Sequence, residues 1–263
     1  MKLLVFRALW GMEGSPQDVV RRIADAGYDG VEGVPEGVGR ADWTAMLSDH
    51  GLKLIAQIFT DSGEDFASEL ARAVEYGPLR VNVHSGRDAM SRDEGCAYFE
   101  RAVAEEEKYG IPVAHETHRG RLFFTPWDTA YYLRRFPTLR VCADFSHWVT
   151  VCERMPNDQA EALRLACERA VHIHGRVGME EGPQVPHPAA PEYERYVLWH
   201  EKQWDAIRAA HEARREEVLT FTPEFGPPGY MHTLPFTDVP VADLWQVCLW
   251  SAHRLRERWS DLA

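Results

Sequence analysis

Strand-forming and helix-forming runs alternate along this chain from one end to the other, and that alternation constrains the fold more than any other feature. Eight short apolar segments stand out: KLLVFRAL, YDGVEGV, LKLIAQIF, RVNVHSG, PVAHETH, RVCADFSH, AVHIHGRV and EVLTFTPEF. Eight longer amphipathic segments separate and follow them: SPQDVVRRIADAG, ADWTAMLSDHG, GEDFASELARAVEYG, SRDEGCAYFERAVAEEEKYG, TPWDTAYYLRRFP, NDQAEALRLACERA, EYERYVLWHEKQWDAIRAAHEARR and VADLWQVCLWSAHRLRERW. The first helix segment shows the expected punctuation, with Ser15 before Pro16 at its start and Gly27 at its end. A strand followed by a crossover helix places the next strand parallel to it, and eight such units predict a closed barrel rather than an open sheet. The expected fold is therefore α/β, a single (β/α)8 barrel of eight parallel strands occupying residues 1–263. One connection breaks the pattern of short links: GRVGMEEGPQVPHPAAPE, residues 175–192, is rich in Pro and Gly and has no periodicity. A loop of that length after the seventh strand is either a functional element such as a lid or a surface insertion.

Composition removes several classes of function. No apolar run approaches the roughly 20 residues needed to span a membrane, and the apolar part of MKLLVFRALW has the length of a strand and no cleavage site after it. The five cysteines (Cys96, Cys142, Cys152, Cys167, Cys248) are odd in number and form no C-x-x-C pair, as expected for reduced thiols in the cytoplasm. A net charge of −12 disfavours nucleic acid as partner, because phosphate neutralisation needs a concentrated basic surface. The expected partner is a small molecule. The last helix segment, with Trp245, Trp250 and Trp259, suits an interface with a second copy as readily as a cover for the barrel.

The run PVAHETHRGR, residues 112–121, carries two histidines, one glutamate and two arginines. On a helix, His115 and His118 would share a face; on a strand, Glu116 and His118 would share one and His115 would take the other. The H-E-x-x-H spacing of a zinc-protease helix is absent. The barrel expectation favours the strand and directs attention to strand C-terminal ends, where active sites of such barrels form. Those ends carry Glu32, Gln57, His84, Glu116, Asp144 with His147 beyond it, His172 and His174, and Glu224. Alternation turns Val81, Val83, Val141, Val171, Ile173, Leu219 and Phe221 outward, and sends Asn82, His84, Glu116, Cys142, Asp144, His172, His174, Thr220, Thr222 and Glu224 inward. Carboxylates gathered in one low-dielectric mouth repel or protonate unless a cation holds them. Oxygen-dominated donors with an imidazole suit Mn²⁺, Mg²⁺ or Co²⁺, with Zn²⁺ also accommodated. The alternative is that each residue is a separate ion-pair or hydrogen-bond partner. His84 is either a buried, satisfied histidine or a substrate contact; Trp10 is either an apolar wall or packing. His118, Arg119 and Arg121 either bind an anionic group or form a solvated loop.

The spaced motifs HETHRG, ADFSHW, HIHGR and TPEFG resemble those of the xylose isomerase-like TIM barrels, the sugar phosphate isomerase/epimerase group. That group includes ketose 3-epimerases, hydroxypyruvate isomerases and inosose dehydratases, with apurinic endonucleases as nucleic-acid relatives. The resemblance implies one divalent metal held by Glu116, Asp144, His174 and Glu224, with Glu116 and Glu224 also serving as acid and base. It implies substrate contacts from His147 and Arg176, and His84, His118, Gln57 and Trp10 join the candidate substrate-binding set. The endonuclease branch has a histidine ligand where this chain has Gln57, and an Asp-x-His pair after the seventh strand where it has GRVGMEEGPQVPHP. A three-zinc nuclease site is therefore not expected. The expected activity is isomerisation or epimerisation of a sugar or small hydroxy-carbonyl compound through a metal-stabilised enediolate. A lyase or dehydratase on a ketosugar or dehydroshikimate-like substrate is the closest rival, followed by a phosphodiesterase and a catalytically silent subunit.

Overall fold

The eight apolar segments become strands in the order in which they occur. In the computed structural model, which describes residues 1–262, these are β1 (Lys2–Ala8), β2 (Gly30–Glu32), β3 (Lys53–Thr60), β4 (Arg80–Ser85), β5 (Val113–Glu116), β6 (Val141–Ala143), β7 (Ala170–His174) and β8 (Val218–Thr222). Each pairs in parallel with its neighbours in sequence, and β8 closes the ring on β1 with Leu3 opposite Leu219 and Val5 opposite Phe221. Closure leaves no strand edge unpaired. The result is a TIM barrel.

The helices are α1 (Pro16–Asp25), α2 (Arg40–Asp49), α3 (Gly63–Val74), α4 (Arg92–Tyr109), α5 (Pro126–Arg135), α6 (Phe145–Cys152), α7 (Ala160–Arg169), α8 (Glu194–Arg214) and α9 (Leu244–Arg258). Side-chain caps start many of them: Ser15, Ser62, Thr125 and Asp243 each accept from a backbone N–H three residues on. Ser91 and Glu94 close a reciprocal capping box at α4, and Gly110 ends that helix at φ 62°. Each such cap contributes about 1 kcal/mol and sets where a helix begins or ends. Among the described residues no helix is long and apolar enough to cross a membrane.

Two local features depart from the sequence expectation. The first is the start of α6: Phe145, Ser146 and His147, at the end of the segment RVCADFSH read as a strand, begin a helix. Phe145, Ser146, His147, Trp148, Val149 and Cys152 are all buried in it, and an all-buried segment of two turns has no polar face whose period would distinguish helix from strand. Asp144 caps it, with Oδ1 3.1 Å from the Ser146 N–H. The second is Val171, expected in the outer layer. The β6–β7 register pairs Val141 with Ala170 but Cys142 with His172, leaving Val171 as an extra residue. It packs with Ala114 and Cys142 instead of joining the outer cluster. A bulge of this kind lets successive side chains escape strict alternation.

The outer layer follows alternation elsewhere. Val81, Val83, Val141, Ile173, Leu219 and Phe221 pack with helix residues such as Ile23, Leu70, Phe99 and Ile207 in one continuous core. A separate cluster of Leu4, Phe6 and Ile55 fills the lower barrel interior. Above it the interior turns polar.

Candidate active site

The polar interior is built from residues at or just beyond the strand ends. Glu116 ends β5, Asp144 follows β6, His174 ends β7, and Glu224 lies two residues past β8. Gly175, after His174, is required sterically because a Cβ there would collide with the Phe221 ring. All four polar residues are buried, and one ligand-capable atom from each lies within 4.8 Å of the others. His174 Nδ1 is 3.1 Å from Glu224 Oε2 and 3.4 Å from Glu116 Oε1. Despite this proximity, His174 Nδ1, Glu116 Oε1 and Asp144 Oδ2 have no hydrogen-bond partner. Buried polar atoms are normally paired. Three unpartnered atoms converging in one place make a donor set that fits a cation.

The electrostatics carry the same mark. Burial pushes the Asp144 carboxyl up to about 7; Arg176 opposes this, while Glu224 and Glu116 add to it. Burial also works against ionised Glu116 and Glu224, yet His84 and His174 for the first, and His174 and Arg176 for the second, hold them below the usual carboxylate range. Burial disfavours the charged form of His174, but the carboxylates of Glu224, Glu32 and Glu116 raise it well above an ordinary imidazole. The cluster is short of positive charge, and a divalent cation would supply it. Oxygen-rich donors with one imidazole fit Mn²⁺, Mg²⁺ or Co²⁺.

Two other groups have metal-like spacing, His84 with Glu116 and His118, and Cys142 with His172 and His174. Their atoms are already engaged. His84 Nε2 lies 2.9 Å from Glu116 Oε2 and 3.2 Å from the Gln57 amide. His172 has Thr220 on Nδ1 at 2.7 Å and Glu32 on Nε2 at 3.2 Å, and burial keeps the Cys142 thiol protonated.

Glu32 and Asn82 complete the site from below. Glu32 Oε1 is 2.9 Å from His174 Nε2, which favours an N–H on that side and, with a cation bound, would leave Nδ1 for the upper cluster. Such carboxylate–imidazole contacts fix both ring orientation and tautomer. Asn82 Nδ2 donates to Glu32 Oε1 at 3.2 Å and to Glu116 Oε2 at 3.0 Å. Sequence reasoning noted Glu32 as a strand-end carboxylate but gave it no role, since three residues of β2 show too little alternation to aim it.

The remaining candidates line the mouth. His115, between the two inward residues of its strand, points outward as expected, with Phe66, Phe99 and Phe123 around it and its nitrogens on Ser85 and Glu106. His118 lies 4.5 Å from His84 and 4.0 Å from His147, centroid to centroid; burial lowers it to about 4. His147 is fully buried, 3.6 Å from Asp144 Oδ2, and neither ring nitrogen has a hydrogen-bond partner. Burial, with His118 and Arg176 adding to it, keeps His147 neutral. Arg176, expected at the substrate, is 2% exposed and paired with both Glu224 and Asp144. Its guanidinium lies 5.4 Å from the Trp10 ring and 4.8 Å from that of Tyr230. Trp10 meets Tyr230 edge-on at 4.9 Å. Tyr230 comes from the β8–α9 connection, and no local pattern marked it. Phe59, the exposed residue near the end of β3, stacks on His84 at 4.4 Å.

The connection over residues 175–192 is packed rather than loose. Val185 N–H donates to the Val177 carbonyl, and the Gln184 amide exchanges hydrogen bonds with the Gly226 backbone. A cleft of about 940 Å³ on the outside of the barrel, between α7 and α8, is lined by Leu163, Cys167, Trp199 and Gln203. It gathers no comparable set of orphaned donors.

Fold and site together define a class: a (β/α)8 barrel with a buried carboxylate–imidazole cluster at its C-terminal mouth. The chain belongs to the xylose isomerase-like TIM barrel family, whose model matches residues 20–182, a span that includes Glu116, Asp144 and His174. No curated protein sequence matches it. Among solved structures, an AP endonuclease, family 2, from Brucella melitensis superposes with a TM-score of 0.65 at 14% identity, covering 96% of this chain and 98% of the other. The probable 3-DHS dehydratase AsbF from Bacillus anthracis, involved in petrobactin synthesis, gives 0.61 at 16% identity, covering 98% and 100%. A sugar phosphate isomerase/epimerase from Parabacteroides distasonis gives 0.61 at 15%, covering 97% and 93%. At these identities the likeness is one of fold.

Proposed function

We propose that this protein is a divalent-metal-dependent isomerase or epimerase of a small sugar or hydroxy-carbonyl compound. Glu116, Asp144, His174 and Glu224 would hold the ion. Such an ion, when bound, supplies Lewis acidity toward a carbonyl and its neighbouring hydroxyl, which acidifies the intervening C–H. The observation that carries this reading is the convergence of orphaned buried atoms from Glu116, Asp144 and His174 within 4.8 Å of one another and of Glu224. Glu116 and Glu224 approach His174 Nδ1 from different strands, so a substrate between them has a carboxylate available on two sides. One takes the carbon-bound proton. Return of a proton to the opposite face gives epimerisation, and return to the adjacent carbon gives isomerisation. His147 stays neutral and donates a hydrogen bond to a substrate oxygen. Trp10, Tyr230 and Phe59 wall the mouth, while Arg176 balances Asp144 and Glu224.

The test is proton exchange. Metal-loaded protein is incubated in D₂O with dihydroxyacetone, a ketohexose and hydroxypyruvate, and deuterium incorporation is followed by NMR. One metal ion per chain and exchange α to a carbonyl are expected. Full metal occupancy without exchange in a broad panel of ketoses and hydroxy-carbonyl acids would sink the reading. A dehydratase acting on a ketosugar or dehydroshikimate-like compound is the second reading, supported by the unpartnered His147 ring beside Asp144, which would offer a hydrogen bond to a departing hydroxyl. Loss of water from the substrate, seen as a product lighter by one water, distinguishes it.

A further inference from the structure

We propose that Arg119 is an anion-recognition residue of this mouth and that the substrate carries a carboxylate beside its hydroxy-carbonyl group. The proposal rests on the isomerase reading for where the reacting carbons lie. Its own support is the divergent behaviour of two arginines on one turn.

Arg119 and Arg121 follow β5 two residues apart. Arg121 is committed to the scaffold: its Nη1 donates to Asp61 Oδ1 at 2.9 Å and to the Gly86 carbonyl at 3.0 Å. Beside it, the Leu122 N–H donates to the Ser85 carbonyl at 2.9 Å, so the turn is tied to β4. Arg119 is half-buried, and its guanidinium is found in no ion pair or hydrogen bond among the described residues. It lies 4.9 Å over the ring of Tyr230, which also carries the Arg176 guanidinium at 4.8 Å and meets Trp10 edge-on. Tyr230 thus gathers two cations. Arg176 is buried and spends Nη2 on Asp144 and Glu224, with Nε and Nη1 unpartnered; Arg119, half-buried, keeps all its donors.

The charge of the mouth shows what those donors are for. The carboxylates of Glu32, Glu116, Asp144 and Glu224 already engage His174 and Arg176, so an anionic ligand entering there needs a further cation. Arg119 is within reach: it lies over the Tyr230 ring, whose centroid is 6.4 Å from that of His147. A single planar guanidinium matches one carboxylate fork to fork. A phosphate dianion would leave a second charge uncompensated in the same field, so the geometry favours the carboxylate.

Hydroxypyruvate and dihydroxyacetone test this directly, since they differ only in a carboxylate against a hydroxymethyl group; dihydroxyacetone phosphate supplies the phosphate arm. Calorimetric titration of metal-loaded wild type, Arg119→Gln and Arg119→Lys gives the affinities without requiring turnover. The wild type is expected to prefer hydroxypyruvate over dihydroxyacetone by about tenfold or more, the size of a charge-assisted contact. Arg119→Gln should lose that preference with dihydroxyacetone binding unchanged, and Arg119→Lys should keep part of it. Equal hydroxypyruvate affinity in wild type and Arg119→Gln, no preference in the wild type, or a larger loss for the phosphate ester overturns the proposal. Deuterium exchange in the same samples reports separately on the isomerase reading. Arg119-dependent binding without exchange keeps the anion subsite and removes the isomerase; exchange indifferent to Arg119 does the reverse.

Discussion

The barrel interior holds two polar layers, and they differ in how fully their atoms are paired. In the lower layer both oxygens of Glu32 and both nitrogens of His172 have partners, from His174, Asn82, Thr220 and each other, and among Glu32, His172 and Asn82 only Asn82 Oδ1 lacks one. In the upper layer Glu116 Oε1, Asp144 Oδ2, His174 Nδ1, both nitrogens of His147 and Nε and Nη1 of Arg176 make no hydrogen bond, although Arg176 Nη2 lies 3.2 Å from Asp144 Oδ2. The two layers are joined by His174, which gives Nε2 to Glu32 below and Nδ1 to the cluster above. A satisfied network holds shape, whereas an unsatisfied one stores binding capacity. The lower layer therefore reads as scaffold, and the upper layer carries the candidate site.

The largest expected effect is on catalysis in the upper layer. Glu116→Gln and Glu224→Gln should each reduce deuterium exchange by about 10²–10⁴-fold, the usual contribution of a positioned acid or base, while circular dichroism stays native. Unchanged exchange in either would place the chemistry elsewhere. The next test exchanges the roles of the layers. Glu32→Gln removes a buried charge that two histidines face, and should destabilise the metal-free protein by about 3–5 kcal/mol in denaturant unfolding. Asp144→Asn, which keeps the oxygen that caps α6, relieves a carboxyl with too little positive charge around it and should leave the metal-free melting temperature unchanged or higher. If both substitutions destabilise equally, the distinction between layers fails. Chelation should remove about 2.7 kcal/mol of stability from protein previously held at a hundredfold excess of metal over Kd, and metal affinity should fall about 10–100-fold in Glu32→Gln. Loss of stability without loss of affinity would make Glu32 purely structural.

The smallest test lies outside both layers. His200 in α8 is buried with Nδ1 2.8 Å from the Tyr196 carbonyl, and burial lowers it to about 4. The unfolded chain takes up a proton near 6.5 that the folded chain refuses until about 4, so this histidine's contribution is full above 6.5 and lost as pH falls toward 4. The melting temperature gap between wild type and His200→Gln should narrow by a few degrees from pH 7 to pH 5. A gap independent of pH would show that the lost packing, rather than the proton, sets it.

Much of the site was legible in the sequence because strands advertise their faces. Glu116, Asp144, His174 and Glu224 were brought together by period-two alternation carried across β5 to β8, and His115 was turned outward by the same rule. Legibility failed where that period was too short or broken. β2 has three residues, so Glu32 could not be aimed. The extra residue at Val171 breaks the phase of β7, and α6 has no polar face to betray it. Tyr230 sits in a connection with no period at all.

Local rules of the chain determined the barrel, its strand order and the inward carboxylates, because crossover handedness and side-chain alternation act over a few residues to a few dozen. Only the tertiary structure decided which of those polar groups are spent and which are free. His174 meets Glu32 across 142 positions of sequence, and Arg119 and Arg176 share the ring of Tyr230 from two different connections. Pairing at such separations depends on how the ring of strands closes, and it separates the scaffold layer from the site.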